Sequence, residues 1–187
     1  AHIVSLLRRC GFDSICASVG FQSRQIRDYF ADSIEIREEK SPLGTAGSVE
    51  NCRDFIENEE FLVISGDAIC DFDLKKAVTF HTVKQAAVTV VTSRHPDPRQ
   101  YGIIRTDENG RITEFCEKPS WNQVFTDRIN TGIYVISPKI LEYIPHGQTY
   151  DFSKDLFPTL LDYGIPMYAC PLEGYWCDIG SCDDLLH

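Results

Sequence analysis

The chain has 187 residues, of which 43% are hydrophobic, and its formal net charge is -10. This length and apolar content are typical of a single domain with one core, so we expect one domain. The acidic balance disfavours sequence-independent binding to DNA or RNA, because that binding depends on clustered Lys and Arg. Small polyanions remain open as ligands, provided that a divalent metal and a few local cations neutralise their charge.

The eight cysteines have no spacing typical of a zinc site, because the sequence lacks both a CxxC pair and a matching set of histidines. Several lie in apolar runs, where free cysteine behaves as a small hydrophobe, and this favours a reducing cytoplasm. The sequence shows neither a long uninterrupted apolar stretch nor a basic-then-apolar leader. We therefore expect a soluble cytoplasmic protein without a membrane or nucleic-acid partner.

The first half of the chain predicts helices alternating with strands. Helical spacing of apolar residues and turn residues predicts helices at 1–9, 25–30, 49–56 and 74–83. Apolar and β-branched runs predict strands at 14–19, 34–36, 61–65 and 86–92, of which the last is typical of a buried parallel strand. Ser23 and Asp73 are predicted N-caps, and the glycine-rich segment 44–47 is predicted to be a loop. The alternation indicates a doubly wound α/β arrangement.

The second half adds antiparallel pairs to this arrangement. Strands at 102–105 and 111–115 flank the turn 107–110, which is a strong hairpin signal. The remaining predicted elements are a strand at 132–136, a helix at 154–163 and short extended segments at 167–171 and 175–179. The sheet is therefore expected to be mixed.

Two carboxylates have positions suited to a ligand site. Asp67 ends the apolar run that begins at Phe61, and Asp178 lies in an apolar-flanked segment near the C-terminus. Ligands of open α/β sheets bind at the carboxyl ends of strands, and two acids there would suit a hard cation and phosphate chemistry. Each acid also has a structural alternative. Asp67 can bond to the turn after its strand, and Asp178 can cap a terminal segment at 181–186, although Ser181 would serve there equally.

Three further segments carry groups suited to ligand binding. The glycines of 41–47 would let the backbone approach a flat or anionic ligand, but the segment lacks the lysine of a P-loop and equally suits a flexible turn. Glu117 and Lys118 could offer an acceptor and a cation to a sugar phosphate, whereas exposed pairs of this kind are usually solvated surface. Asn130 and Thr131 suit hydroxyl recognition and also suit a turn.

Six segments, taken in order, resemble the sugar-1-phosphate nucleotidyltransferase family, also called nucleoside-diphosphate-sugar pyrophosphorylases. These segments are PLGTAG, FLVISGD, YGIIRTDENGRITEFCEKP, NTGIYVISP, FSKDLFP and EGYWCDIG. The resemblance runs through nearly the whole chain. Within the family the chain is most similar to mannose-1-phosphate guanylyltransferase-like domains, including those fused to a phosphomannomutase-like domain. This finer likeness is carried by EKPSW, the QVF segment, NTGIYVISP and FSKDLFP.

The resemblance implies a Rossmann-like mixed, mostly parallel sheet between helices. It also implies a reaction that joins a sugar 1-phosphate to a nucleoside triphosphate and releases pyrophosphate, with GDP-mannose as the product of the guanylyltransferase-like members. Asp67 and Asp178 match the family's two catalytic, magnesium-binding aspartates. The positions near the nucleotide match Pro42, Leu43, Gly44, Thr45 and Gly66. The positions that hold the sugar and its phosphate match Tyr101, Gly102, Glu117, Lys118, Asn130 and Thr131.

The chain departs from the family pattern at the triphosphate-binding motifs. The family begins with a strand and a G-x-G-T-R loop, followed by a Pro-Lys-Pro segment, and neither motif occurs in the 187 residues. One expectation is that residues 1–187 are a single domain, without its first strand and glycine-rich loop, of a longer enzyme that forms homo-oligomers or carries a mutase-like or other C-terminal domain. The alternative is a non-catalytic regulatory subunit that binds a sugar nucleotide.

Overall fold

The structure, a computed structural model, describes residues 1–180. The helices are α1 (His2–Arg9), α2 (Ser23–Phe30), α3 (Gly44–Glu50), α4 (Arg53–Ile56), α5 (Leu74–Lys84) and α6 (Phe157–Asp162). The strands are β1 (Cys16–Val19), β2 (Glu35–Glu38), β3 (Phe61–Ile64), β4 (Ala68–Cys70), β5 (Val88–Arg94), β6 (Gly102–Thr106), β7 (Ile112–Glu117), β8 (Arg128–Ile136), β9 (Met167–Pro171) and β10 (Trp176–Asp178). The predicted terminal segment 181–186 and its cap Ser181 lie outside the described residues.

Strand β8 is the centre of a six-stranded sheet. On one side it pairs antiparallel with β5, and β9 lies beyond β5 in parallel. On its other side it pairs antiparallel with β3 and, nearer its start, with β6, which forms a hairpin with β7. Strands β3, β5, β6 and β9 therefore point one way, and β7 and β8 point the other way. The predicted α/β fold with a mixed sheet is confirmed.

The segment 86–92 differs in part from its prediction. It was expected to be a buried parallel strand, and β5 is buried over most of its length. Only its pairing with β9 is parallel, because β8 returns alongside it in the opposite direction. Burial of β5 on both faces accounts for its continuous apolar run, and that pattern does not distinguish parallel from antiparallel neighbours.

Two small sheets complete the described part of the fold. Strand β1 pairs in parallel with β2, and β4 pairs antiparallel with β10. The second of these pairs is the important one for the site, because it joins the segment after β3 to the end of the described chain.

The core has two layers, one on each face of the central sheet. Alternate residues of β8 belong to different layers, since successive side chains of a strand point to opposite faces. Ile133 packs with residues of α1 and α5, while Tyr134 packs with Phe152 and with Phe157, the first residue of α6. Burying an apolar side chain of this size stabilises the fold by about 1.5–3 kcal/mol. The sheet is thus held rigidly from both sides.

The predicted loop at 44–47 is wrong, because these residues form the first turn of α3. The Tyr150 carbonyl accepts hydrogen bonds from the N–H groups of Ala46 and Gly47, each at 2.9 Å. The first N–H groups of a helix have no partner within it, so a distant carbonyl can stabilise a helix start that glycine disfavours.

Two predicted helices are interrupted. The helix expected at 49–56 is split, since α3 ends at Glu50 and α4 begins at Arg53. The helix expected at 154–163 begins as a π-helical turn, Phe152–Leu156, that continues into α6. Helical turns of this π type occur often at functional sites.

The predicted caps and turn have mixed outcomes. Asp73 is confirmed as an N-cap, because its Oδ1 accepts a hydrogen bond from the Lys75 N–H at 3.2 Å. The hairpin turn is also confirmed, and Asp107 Oδ1 accepts from the N–H groups two and four residues later. Ser23, however, is the first residue of α2, and Gln22 holds the cap position. No helix within residues 1–180 combines the length and the apolar character needed to cross a membrane.

Candidate active site

A cavity of about 1150 Å³ runs along β1 and β3 and continues past the carboxyl end of β3 to Asp67. Ten of the site residues expected from the sequence line it: Thr45, Gly66, Asp67, Tyr101, Gly102, Glu117, Lys118, Asn130, Thr131 and Asp178. The fold therefore brings most of the expected residues together around one space, although they come from six separate segments of the chain.

The pairing of β4 with β10 brings the backbones of Asp67 and Asp178 close together at the border of this cavity. Asp178 lies opposite Ala68, and the Ile179 N–H donates a hydrogen bond to the Asp67 carbonyl at 3.0 Å. The Ser65 hydroxyl donates to Asp67 Oδ1 at 2.5 Å, which fixes the orientation of that carboxylate. We call Asp67 and Asp178 the carboxylate pair.

The donor chemistry of the carboxylate pair suits Mg²⁺. In phosphate-handling sites this ion typically binds one or two carboxylates and completes its octahedron with substrate phosphates and water. Among residues 1–180, there is no group of three or more His, Cys, Asp and Glu side chains placed to hold a metal. Two carboxylates are the number of protein ligands that such a shared cation requires.

A second set of residues, which we call the hydroxyl-facing wall, consists of Gly102, Glu117, Asn130 and Thr131. Gly102 and Glu117 lie opposite each other in the β6–β7 hairpin. A Cβ atom at Gly102 would stand 2.5 Å from Phe115 Cζ and 2.8 Å from Glu117 Oε2. The lack of a side chain at Gly102 thus makes room for the Glu117 carboxylate.

Glu117 has one carboxylate oxygen whose hydrogen-bonding capacity is unused. Its Oε2 atom is buried and has no hydrogen-bond partner within the described residues. Burial raises the pKa of Glu117, and the Ser153 hydroxyl and the ammonium groups of Lys118 and Lys154 oppose this shift. A buried acceptor without a partner is costly, so a ligand hydroxyl that donates to it would gain binding free energy.

Asn130 and Thr131 lie inside β8, which begins at Arg128, and not at the opening of a strand as expected. Asn130 Nδ2 donates to the Tyr134 hydroxyl at 2.9 Å, and Thr131 Oγ1 donates to the Val91 carbonyl at 2.8 Å. Thr131 is only 1% exposed. Both side chains are thus bonded within the protein and fix the shape of the wall.

Sequence reasoning missed two residues that hold the site in shape. Trp176 donates its indole N–H to the Thr131 carbonyl at 3.0 Å and meets the Tyr101 ring edge-on at 5.3 Å. Ser65 orients Asp67, as described above. Ser65 precedes Asp67 by two positions, and Trp176 precedes Asp178 by two positions. This closeness in the sequence is the feature from which both residues could have been identified.

Pro42, Leu43 and Gly44 are not among the residues that line the cavity. The carbonyl of Pro42 accepts from the Thr149 hydroxyl at 2.9 Å, and that of Leu43 accepts from the Tyr150 N–H at 2.8 Å. Gly44 has a φ of +70°, and a Cβ there would stand 2.7 Å from the Tyr150 carbonyl oxygen. These three residues therefore pack against residues 149 and 150 outside the cavity. Of the four expected residues at 42–45, only Thr45 lines the cavity.

The known proteins that this chain resembles are nucleotidyltransferases. The family model described as "Nucleotidyl transferase" matches residues 1–187. UTP–glucose-1-phosphate uridylyltransferase of Synechocystis sp. is 36% identical over 97% of this chain and 52% of that protein. Mannose-1-phosphate guanyltransferase beta-B of Xenopus laevis is 34% identical, and mannose-1-phosphate guanylyltransferase of Mycobacterium tuberculosis is 30% identical, each over 99% of this chain and 53% of the relative. The chain thus spans about half the length of these curated relatives.

Solved structures share the fold. HddC from Yersinia pseudotuberculosis aligns with a TM-score of 0.83 at 26% identity, covering 98% of this chain and 80% of that one. A putative glucose-1-phosphate thymidylyltransferase from Bacillus anthracis, solved with a sucrose, aligns with a TM-score of 0.86, covering 99% and 78%. At 24% identity, this second likeness concerns the fold alone. The match over the whole chain and the curated relatives establish that the chain belongs to the nucleotidyl transferase family, and that its relatives include sugar-1-phosphate nucleotidyltransferases.

Proposed function

We propose that the protein to which this chain belongs transfers a nucleotidyl group from a nucleoside triphosphate to a sugar 1-phosphate and releases pyrophosphate. The carrying observation is that the carboxylate pair borders the same cavity as Glu117, which has a buried oxygen without a partner among the described residues. In-line attack on the α-phosphorus needs aligned reactants and neutralised charge more than it needs a protein base. A cation-binding end and a hydroxyl-binding wall meet both needs.

Within this proposal each group has a role. Asp67 and Asp178 hold Mg²⁺, which when bound neutralises phosphate charge and helps to align the reactants. Thr45 borders the nucleotide. Lys118 supplies positive charge to the phosphate of the sugar, and Glu117 accepts a hydrogen bond from a sugar hydroxyl.

GDP-mannose is the product that we propose. Two relatives support this choice: mannose-1-phosphate guanyltransferase beta-B of Xenopus laevis and mannose-1-phosphate guanylyltransferase of Mycobacterium tuberculosis. UDP-glucose is the second candidate, because the uridylyltransferase of Synechocystis sp. has the higher identity, 36%. We also propose that residues 1–187 act as one domain and that the protein is located in a reducing cytoplasm. The seven free cysteines among residues 1–180 agree with such a location.

The test is a substrate panel. The full-length protein is incubated with Mg²⁺ and with each pair of GTP, UTP, ATP or dTTP and mannose 1-phosphate or glucose 1-phosphate, and pyrophosphate release is measured. We expect the highest kcat/KM for GTP with mannose 1-phosphate. A preference for UTP with glucose 1-phosphate would replace the proposed product by UDP-glucose. No release from any pair would overturn the reaction, and calorimetric binding of GDP-mannose would then favour the non-catalytic subunit.

A further inference from the structure

Two segments that are distant in the sequence are joined at the rim of the cavity. We call them the 42–47 segment and the 148–154 segment. The Tyr150 N–H donates to the Leu43 carbonyl at 2.8 Å, and the Tyr150 carbonyl accepts from two N–H groups of α3 at 2.9 Å. A Cβ at Gly47 would stand 2.7 Å from the Gln148 carbonyl oxygen, so the two backbones approach as closely as glycine permits.

One side chain of the 42–47 segment extends this contact into the cavity. Thr45 Oγ1 donates a hydrogen bond to Asp151 Oδ1 at 3.0 Å and accepts one from the Phe152 N–H at 3.0 Å. The hydroxyl thus donates one hydrogen bond to the 148–154 segment and accepts another from it. Thr45, Asp151 and Phe152 all line the cavity.

The 148–154 segment also reaches the hydroxyl-facing wall. The Ser153 hydroxyl and the Lys154 ammonium lower the pKa of Glu117, whereas the charge of Asp151 raises it. All three side chains therefore act electrostatically on the group that faces the sugar in the proposed function. The bonds of Thr45 fix the start of the π-helical turn Phe152–Leu156, which carries Ser153 and Lys154.

We propose that Thr45 is a positioning residue that couples the two halves of the cavity. Its hydroxyl holds Asp151 and Phe152 in place, so that a nucleotide bound against Thr45 orders the 148–154 segment for the sugar 1-phosphate. This inference rests on the proposed function and adds to it a connection between the two substrates. Coupling of this kind is reciprocal, since each bound substrate strengthens binding of the other by the same factor.

The test compares two substitutions at Thr45 in the full-length protein. Thr45→Val keeps the shape of the side chain and removes the hydroxyl, while Thr45→Ser keeps the hydroxyl. With the nucleotide saturating, we expect Thr45→Val to raise the KM for sugar 1-phosphate at least about fivefold, because the variant loses both hydrogen bonds of the hydroxyl and one such bond alone is worth about that factor. Thr45→Ser should restore a KM close to that of the wild type. A residue that contacts the nucleotide alone would raise the KM for the nucleotide and leave that for the sugar 1-phosphate unchanged.

Thr149→Val is the matched control. The Thr149 hydroxyl also joins the two segments, through the Pro42 carbonyl, but Thr149 does not line the cavity. We expect both KM values of this variant to match the wild type. An unchanged sugar 1-phosphate KM in Thr45→Val, or equal changes in the two Val variants, would overturn the coupling while the reaction stands. Absence of turnover in the wild type would instead overturn the proposed function and the coupling with it.

Discussion

The carboxylate pair and the hydroxyl-facing wall border one cavity but are built in different ways. Asp67 and Asp178 lie where strands end, with Asp67 exposed and Asp178 partly so. Asn130 and Thr131 are buried within β8, and Gly102 is buried against the Phe115 ring. Substitutions at the pair should therefore change the chemistry alone, whereas substitutions at the wall should change the stability of the fold as well.

The largest expected effect is at the carboxylate pair. Asp67→Asn and Asp178→Asn should each lower kcat at least about 100-fold, because preorganised charge stabilisation is usually the largest catalytic term. Asparagine at position 67 can still accept the Ser65 hydrogen bond, so the free energy of unfolding should stay within about 0.5 kcal/mol of the wild type. Pyrophosphate release and urea denaturation measure the two quantities.

Asp71→Asn is the control for this pair of variants. Asp71 Oδ1 accepts from the Tyr175 N–H at 2.7 Å beside the same β4–β10 ladder, but Asp71 does not line the cavity. Asparagine preserves that acceptor, and kcat should stay within about twofold of the wild type. Wild-type turnover in Asp67→Asn, or an equal loss in Asp71→Asn, would contradict the role of the pair.

The wall should respond to substitution in both stability and binding. Gly102→Ala places a Cβ 2.5 Å from Phe115 Cζ and 2.8 Å from Glu117 Oε2. Overpacking of this kind costs about 1–3 kcal/mol of unfolding free energy, and the displaced Glu117 should raise the KM for sugar 1-phosphate. Denaturant unfolding and steady-state kinetics test this, with Gly20→Ala as the control, since no heavy atom lies within 4 Å of a Cβ there. Equal stability of the two variants would contradict the packing described for the wall.

A smaller effect is expected from Glu117→Gln, which removes the charge of the side chain and keeps its size. Burial raises its pKa in the folded protein above the ordinary value of 4.5, so the native state disfavours the ionised form. The free energy of unfolding of the wild type is therefore highest below pH 4.5, where Glu117 is protonated in both the folded and the unfolded state. It falls as the pH rises from 4.5 through the raised pKa, because the unfolded state ionises more readily. Glu117→Gln should therefore gain stability relative to the wild type between pH 4 and pH 8, while the KM for sugar 1-phosphate rises about tenfold. Stability curves that run parallel across this pH range would count against a buried ionised Glu117.

The two carboxylates show what the sequence could predict about the site. Each follows a short apolar segment, and strand ends are the common ligand-binding edge of α/β sheets, so both acids could be identified. Their proximity could not be derived from those patterns, because it depends on the antiparallel register of Asp178 against Ala68. The ordered motifs supplied that pairing through family resemblance.

Local patterns failed where a distant group decides the structure. The glycines of 44–47 predicted a loop, and a carbonyl more than 100 residues away, that of Tyr150, makes the segment helical. The polar Asn130 and Thr131 suggested the opening of a strand, but bonds to Tyr134 and Val91 allow both to lie inside β8. In each case the partner that satisfies the polar group is set by tertiary packing, which a window of sequence does not contain.

The central claim is that the carboxylate pair binds the divalent cation that accompanies the nucleotide. It is tested most directly by calorimetric titration of Mg²⁺ into the full-length protein saturated with a non-hydrolysable GTP analogue. We expect Asp67→Asn and Asp178→Asn each to weaken Mg²⁺ binding at least about tenfold, because each removes one anionic ligand, while Asp71→Asn binds as the wild type does. Equal Mg²⁺ affinity in the wild type and all three variants would contradict the claim.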